Sequence, residues 1–148
     1  FGGGEQYVML STGGKVPLDA LGVLPDNIAV YPWVPQSEVL KRAALFVTHA
    51  GMNSAHDSLC FGLPMLLVPQ EGDQIMIAMR LAQLGAGIML KKSQVSAATL
   101  RKAALALLTE PKYRTDAARI GASIREAGGA PKAADEIEAL LSRNTPVV

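Results

Sequence analysis

The chain has 148 residues, one domain's worth, of which 49% are hydrophobic and 18% charged, a balance that excludes a disordered segment and supports a large core. Its 14 basic and 13 acidic residues leave a net charge of +1 without clustered blocks, which argues against a nucleic-acid-binding face. A single cysteine, Cys60, excludes an intrachain disulfide and a cysteine metal cluster, and the longest apolar runs, such as Met65 to Val68, are far too short to span a bilayer.

Short apolar runs alternate with helical segments, the signature of a layered α/β domain with a largely parallel sheet. The strands are expected at Tyr7 to Leu10, Ile28 to Tyr31, Leu45 to Thr48, Met65 to Val68 and Gly87 to Leu90. They are apolar on both parities, as strands covered on both faces should be. Helices are expected at Ser37 to Arg42, at Asn53 to Phe61 (stopped by Gly62 and Pro64) and at Asp73 to Leu84, ended by Gly85. Leu100, Ala103, Ala104, Leu107 and Leu108 then recur on one helical face, with Ser96 as the cap. Pro111 opens the next helix and Gly128-Gly129 closes it; Pro131 opens the last, with Ala133, Ile137, Leu140 and Leu141 on its inner face. Cys60, in an apolar run, is expected to be a small buried hydrophobe.

Three strand ends carry chemistry. After the second strand, Trp33 stands between Pro32 and Pro35, where a rigidly held indole face suits a heteroaromatic base; Gln36 offers both a donor and an acceptor. A lone Trp is more often a packing plug. After the third strand comes His49-Ala50-Gly51-Met52-Asn53-Ser54, where Gly51 permits close approach to a helix N-terminus suited to phosphate, and His49, Asn53 and Ser54 add side-chain donors. Asn53 as a simple N-cap and His49 as a satisfied strand-end histidine remain the alternative. His49 as a catalytic base is disfavoured, because no nucleophile or orienting carboxylate stands beside it. After the fourth strand, Asp73-Gln74 offers the paired acceptor and donor that vicinal sugar hydroxyls require, although Asp73 could also cap its helix. Together the three sites describe a nucleoside diphosphate sugar.

On these motifs the chain resembles the C-terminal, donor-binding domain of family 1 glycosyltransferases of the GT-B fold, the macrolide and natural-product type. Trp33-Val34-Pro35-Gln36 is similar to the family's Trp-x-Pro-Gln, His49 to Ser54 to its His-x-Gly-x-Asn-Ser, Pro64 to its Gly-x-Pro step, and Asp73-Gln74 to its closing acidic-Gln pair. The resemblance implies a Rossmann-like parallel sheet with flanking helices. It implies that Trp33 stacks on the base, that Gln36 contacts the nucleoside, and that His49, Gly51, Asn53 and Ser54 hold the diphosphate. Asp73 and Gln74 would bind the sugar hydroxyls. Asp57 stands where the family usually has a Glu on the ribose, one methylene shorter, and Ile77 replaces an Asn common after the Asp-Gln pair.

The resemblance further implies an enzyme that inverts the anomeric centre while moving a sugar from a UDP or dTDP donor to a hydroxyl of a hydrophobic small molecule. Its catalytic His belongs to an N-terminal domain, so no catalytic residue is expected within these 148 residues, and the acceptor would bind through that other domain. No cofactor or metal is expected, since His49 and His56 are the only histidines and no carboxylate-rich cluster accompanies them. A cytoplasmic location follows from the same resemblance. The chain opens on Phe1-Gly2-Gly3-Gly4 rather than Met, and residues 1–148 are expected to be a partial domain lacking its first strand and helix, a strand that would lie between those at Tyr7 and Leu45. Two other readings stand: a non-catalytic nucleotide-sugar-binding module, and a lipid-linked or cell-wall sugar transferase of the same fold.

Overall fold

The computed structural model describes residues 1–143; the last five residues of the expected domain lie outside the described residues. The chain divides into two compact units, Phe1–Arg42 and Ala43–Val148.

In the first unit, β1 (Val8–Ser11) and β2 (Ile28–Tyr31) pair in parallel, with Val8 opposite Ile28 and Ser11 opposite Tyr31. A short 3-10 turn (Leu18–Leu21) lies between them in sequence, and α1 (Gln36–Leu40) follows β2. Asn27 pins the start of the chain. Its Nδ2 donates to the carbonyls of Phe1 and Gln6 at 2.9 and 2.8 Å, and its Oδ1 accepts the Gly3 N–H at 3.0 Å. Unlike the expected doubly covered strand, β1 is open, with Met9 and Leu10 both exposed. A two-stranded ladder accompanied by one 3-10 turn and a five-residue helix has too few apolar partners to cover both its faces.

In the second unit, β3 (Phe46–Thr48), β4 (Met65–Leu67) and β5 (Gly87–Met89) form a parallel sheet in that order. Every residue of β4 is buried, as the central strand of a parallel sheet must be, whereas Val47 of β3 is half-exposed. Crossovers run through α2 (Met52–Cys60) and α3 (Asp73–Gln83), after which come α4 (Ala97–Thr109), α5 (Pro111–Glu126) and α6 (Gly129–Arg143). The core gathers Met65 and Leu67 with Ala55 and Leu59 of α2, Ala78 and Leu81 of α3, and Ala117 of α5. The sequence expectation places these elements within one or two residues of their observed bounds. Strands expected at Tyr7 and Leu45 fall in different sheets.

Small residues let α5 lie directly on α2. A Cβ at Gly121 would overlap the carbonyl oxygen of Leu59, and the Arg125 guanidinium donates to the Cys60 carbonyl at 2.8 Å. That bond satisfies an orphan acceptor at the C-terminus of α2 with a cation, the favourable sign for a helix C-terminus. Ser96 caps α4 as expected, accepting the Thr99 N–H at 3.2 Å while Thr99 Oγ1 accepts the Ser96 N–H at 2.9 Å. Pro111 opens α5 at its first turn.

Two expectations are corrected. Cys60 is only partly buried, its Sγ 3.8 Å from His56 Nδ1, because it stands one helical turn from that exposed residue. The apolar stripe of α6 is not an inner face: Ile137, Leu140 and Leu141 are all exposed. A 3.6-residue period marks a stripe without saying what covers it.

Candidate functional site

The site grows from the end of β3. Thr48, its last residue, is buried; its carbonyl accepts the Val68 N–H at 2.8 Å, and its hydroxyl accepts the Ala50 N–H at 3.2 Å. Ala50 is fully buried with φ +67°, the one non-glycine residue with positive φ among the described residues. An L-residue pays about 1–2 kcal/mol for that left-handed conformation. Gly51 returns to extended backbone (φ −61°, ψ 141°) and is the N-cap of α2, with no side-chain cap bond.

The first backbone bond of α2 runs from Ala55 N–H to the Gly51 carbonyl at 2.9 Å. The N–H groups of Met52, Asn53 and Ser54 therefore have no acceptor inside the helix, and the positive end of its dipole lies there. A cavity of about 330 Å³ opens at this point, lined by His49, Gly51, Met52, Asn53 and Ser54. The His49 imidazole closes over Gly51, so near that a Cβ on Gly51 would stand 2.5 Å from Nε2. Four sequence-predicted residues, His49, Gly51, Asn53 and Ser54, thus share one concavity able to receive an anion. Asp57 lies one turn beyond Asn53 on the same helix face, half-buried.

Neither polar residue that could have been a simple cap is one. Gly51 holds the N-cap position of α2 and Gly72, at φ +59°, that of α3, so Asn53 and Asp73 are both inside their helices. Asp73 is the first residue of α3 and exposed. Gln74 is half engaged: its Oε1 accepts the Gln70 N–H at 2.9 Å, and Gln70 Nε2 in turn donates to the Val68 carbonyl at 2.9 Å. Gln74 keeps its NH2 to offer a ligand.

In the first unit, Trp33 is 75% exposed, held at one edge where its Nε1 lies over Gly14 (3.3 Å from a Cβ built there), with Gly14 at φ +70°. Gln36 is the first residue of α1, and Pro35 its N-cap.

The sequence reading missed Met52, which lines the cavity, along with Thr48, Ala50 and Gln70. A Thr two residues before an Ala at a strand end is the local signal for the hydroxyl-to-amide bond. Nothing in the sequence singles out an alanine for left-handed backbone.

Parallel strands with flanking helices match the C-terminal domains of GT-B glycosyltransferases. Residues 10–140 match the family described as "Erythromycin biosynthesis protein CIII-like, C-terminal domain", and the chain belongs to it. It is 42% identical over 135 residues to the oleandomycin glycosyltransferase of Streptomyces antibioticus, covering 91% of this chain and 31% of that protein. It is 40% identical over 138 residues to the uncharacterized UDP-glucosyltransferase YojK of Bacillus subtilis (strain 168), covering 93% and 34%. The crystal structure of CalG4, the calicheamicin glycosyltransferase, superposes with a TM-score of 0.88 at 32% identity over 95% of this chain and 37% of that one. The chain spans about a third of the length of these relatives.

Proposed function

We propose that residues 1–148 belong to the donor-binding part of a glycosyltransferase that moves a sugar, with inversion, from UDP or dTDP to a hydroxyl of a hydrophobic small molecule. The carrying observation is the cavity at the start of α2, where His49, Asn53, Ser54 and three uncommitted backbone N–H groups converge around Gly51. A diphosphate suits that set, since each donor meets a charged oxygen and no cation from the solvent is required. Trp33 is assigned to the base and Gln36 to the nucleoside; its similarity to a UDP-glucosyltransferase supports a uracil-type base. Asp57 is assigned to the ribose, one methylene further away than a Glu would be. Asp73 and Gln74 are assigned to the sugar hydroxyls, a role supported by the freedom of both from helix capping. No metal enters this reading, and the base that deprotonates the acceptor is assigned to another part of the protein.

The direct test is fluorescence. Trp33 is the sole tryptophan and its indole is largely open. Titration with UDP, dTDP or their glucose conjugates should quench it saturably, and Trp33→Ala should weaken binding by about 1–3 kcal/mol. Saturable binding, seen by calorimetry, with Trp33 emission unchanged would refute the stacking assignment. No binding of any of these ligands would refute the donor site itself.

A further inference from the structure

We infer that Thr48 is a positioning residue for the diphosphate, acting through Ala50; the inference rests on the donor reading above. Three observations in the second unit carry it. Thr48 is fixed at both ends of its own residue: its carbonyl is held by the Val68 N–H at 2.8 Å, in continuation of the β3–β4 ladder, and its hydroxyl holds the Ala50 N–H at 3.2 Å. Ala50 is held in a left-handed conformation that alanine rarely adopts, and it is completely buried. The residues on either side of that turn, His49 and Gly51, line the same cavity and touch each other through the imidazole.

The left-handed turn is what folds His49 back over Gly51 while aiming the next three N–H groups outward. Left unrestrained, Ala50 would relax toward the ordinary right-handed or extended regions, and the donors would diverge. Thr48 is buried and is not among the residues that line the cavity. Its hydroxyl carries the rigidity of the sheet into the loop, so the donors are arranged before the anion arrives, which is where preorganised sites gain their strength.

Two features separate this role from ordinary core packing. A latch for phosphate alone should leave the nucleoside indifferent. A latch that works by enforcing positive φ should be dispensable when residue 50 is glycine, which takes that conformation without strain.

The experiment compares UDP with uridine by calorimetry on the full 148-residue chain. Thr48→Val, nearly isosteric, should lower UDP affinity by about tenfold and uridine affinity by less than about twofold; Thr48→Ser, which keeps the hydroxyl, should stay within about threefold for both. Thr48→Val combined with Ala50→Gly should recover most of the lost UDP affinity. Equal losses for UDP and uridine, or no recovery in the double variant, would overturn the inference. A second readout needs no variant: the Ala50 amide should exchange slowly with solvent, and exchange at the unprotected rate would overturn it too. Wild-type chain that binds UDP no better than uridine would instead overturn the diphosphate reading on which this rests.

Discussion

The imidazole of His49 lies against Gly51 so closely that a Cβ added to the glycine would stand 2.5 Å from Nε2. Gly51 itself has φ −61° and ψ 141°, angles that alanine adopts freely. The glycine is therefore required by the neighbouring imidazole, and not by the backbone. Gly51→Ala should fold with stability within about 0.5 kcal/mol of wild type, because an exposed imidazole can swing aside. UDP affinity should fall about tenfold, and in a His49→Ala background the same change should cost less than about twofold. Equal penalties in the two backgrounds would mean that the methyl obstructs the ligand directly. Calorimetry on the four proteins of the cycle decides.

Asp73 opens α3 without capping it. Asp73→Asn should lower affinity for UDP-glucose several-fold, roughly 1 kcal/mol, with UDP affinity unchanged. A carboxylate in the first turn also favours its helix by about 0.3–1 kcal/mol, so a small drop in melting temperature is expected alongside. Parallel loss of UDP and UDP-glucose binding would remove Asp73 from the sugar.

The contact between Gly121 and the Leu59 carbonyl is backbone against backbone, with no flexible side chain to yield. Gly121→Ala should destabilise the second unit by about 3 kcal/mol, the upper end of the overpacking range. Urea unfolding would measure it. A loss below about 1 kcal/mol would show that α5 can slide without cost.

On α6, Ile137 and Leu140 are exposed although they stand on the helix's apolar stripe. Replacing both with serine should change the stability of this chain by no more than about 0.5 kcal/mol each. A loss of 2 kcal/mol or more would place that stripe in a core after all.

The elements were legible because each announces itself locally. Pro111 and Ser96 start helices for reasons carried by their own backbone and side chain, and Met65-Leu66-Leu67 reads as a strand covered on both faces because a buried parallel strand has no polar parity. The open helix start at α2 was legible from Gly51 for the same reason. What escaped was relational. Nothing in the letters of Ala133 to Leu141 tells whether the stripe meets a partner, and β1 has the composition of a covered strand while lying open. Ala50 escaped because left-handed backbone is expected at glycine, whereas this alanine is buried in the core and donates its N–H to the Thr48 hydroxyl. Gln74's bond to the Gln70 amide likewise depends on a loop conformation that no period encodes.

The grip of α5 on α2 has a mechanical consequence. With nine residues, α2 is about 13 Å long. Gly121 and Arg125 hold it at Leu59 and Cys60, its far end, while its opening turn faces the cavity. The helix is thus held at both ends, at its tail by α5 and at its start by the buried Ala55 and the Ala50–Thr48 bond. A change of pitch at the α5 end loads that start, so α5 substitutions that touch no ligand are natural places from which to retune one.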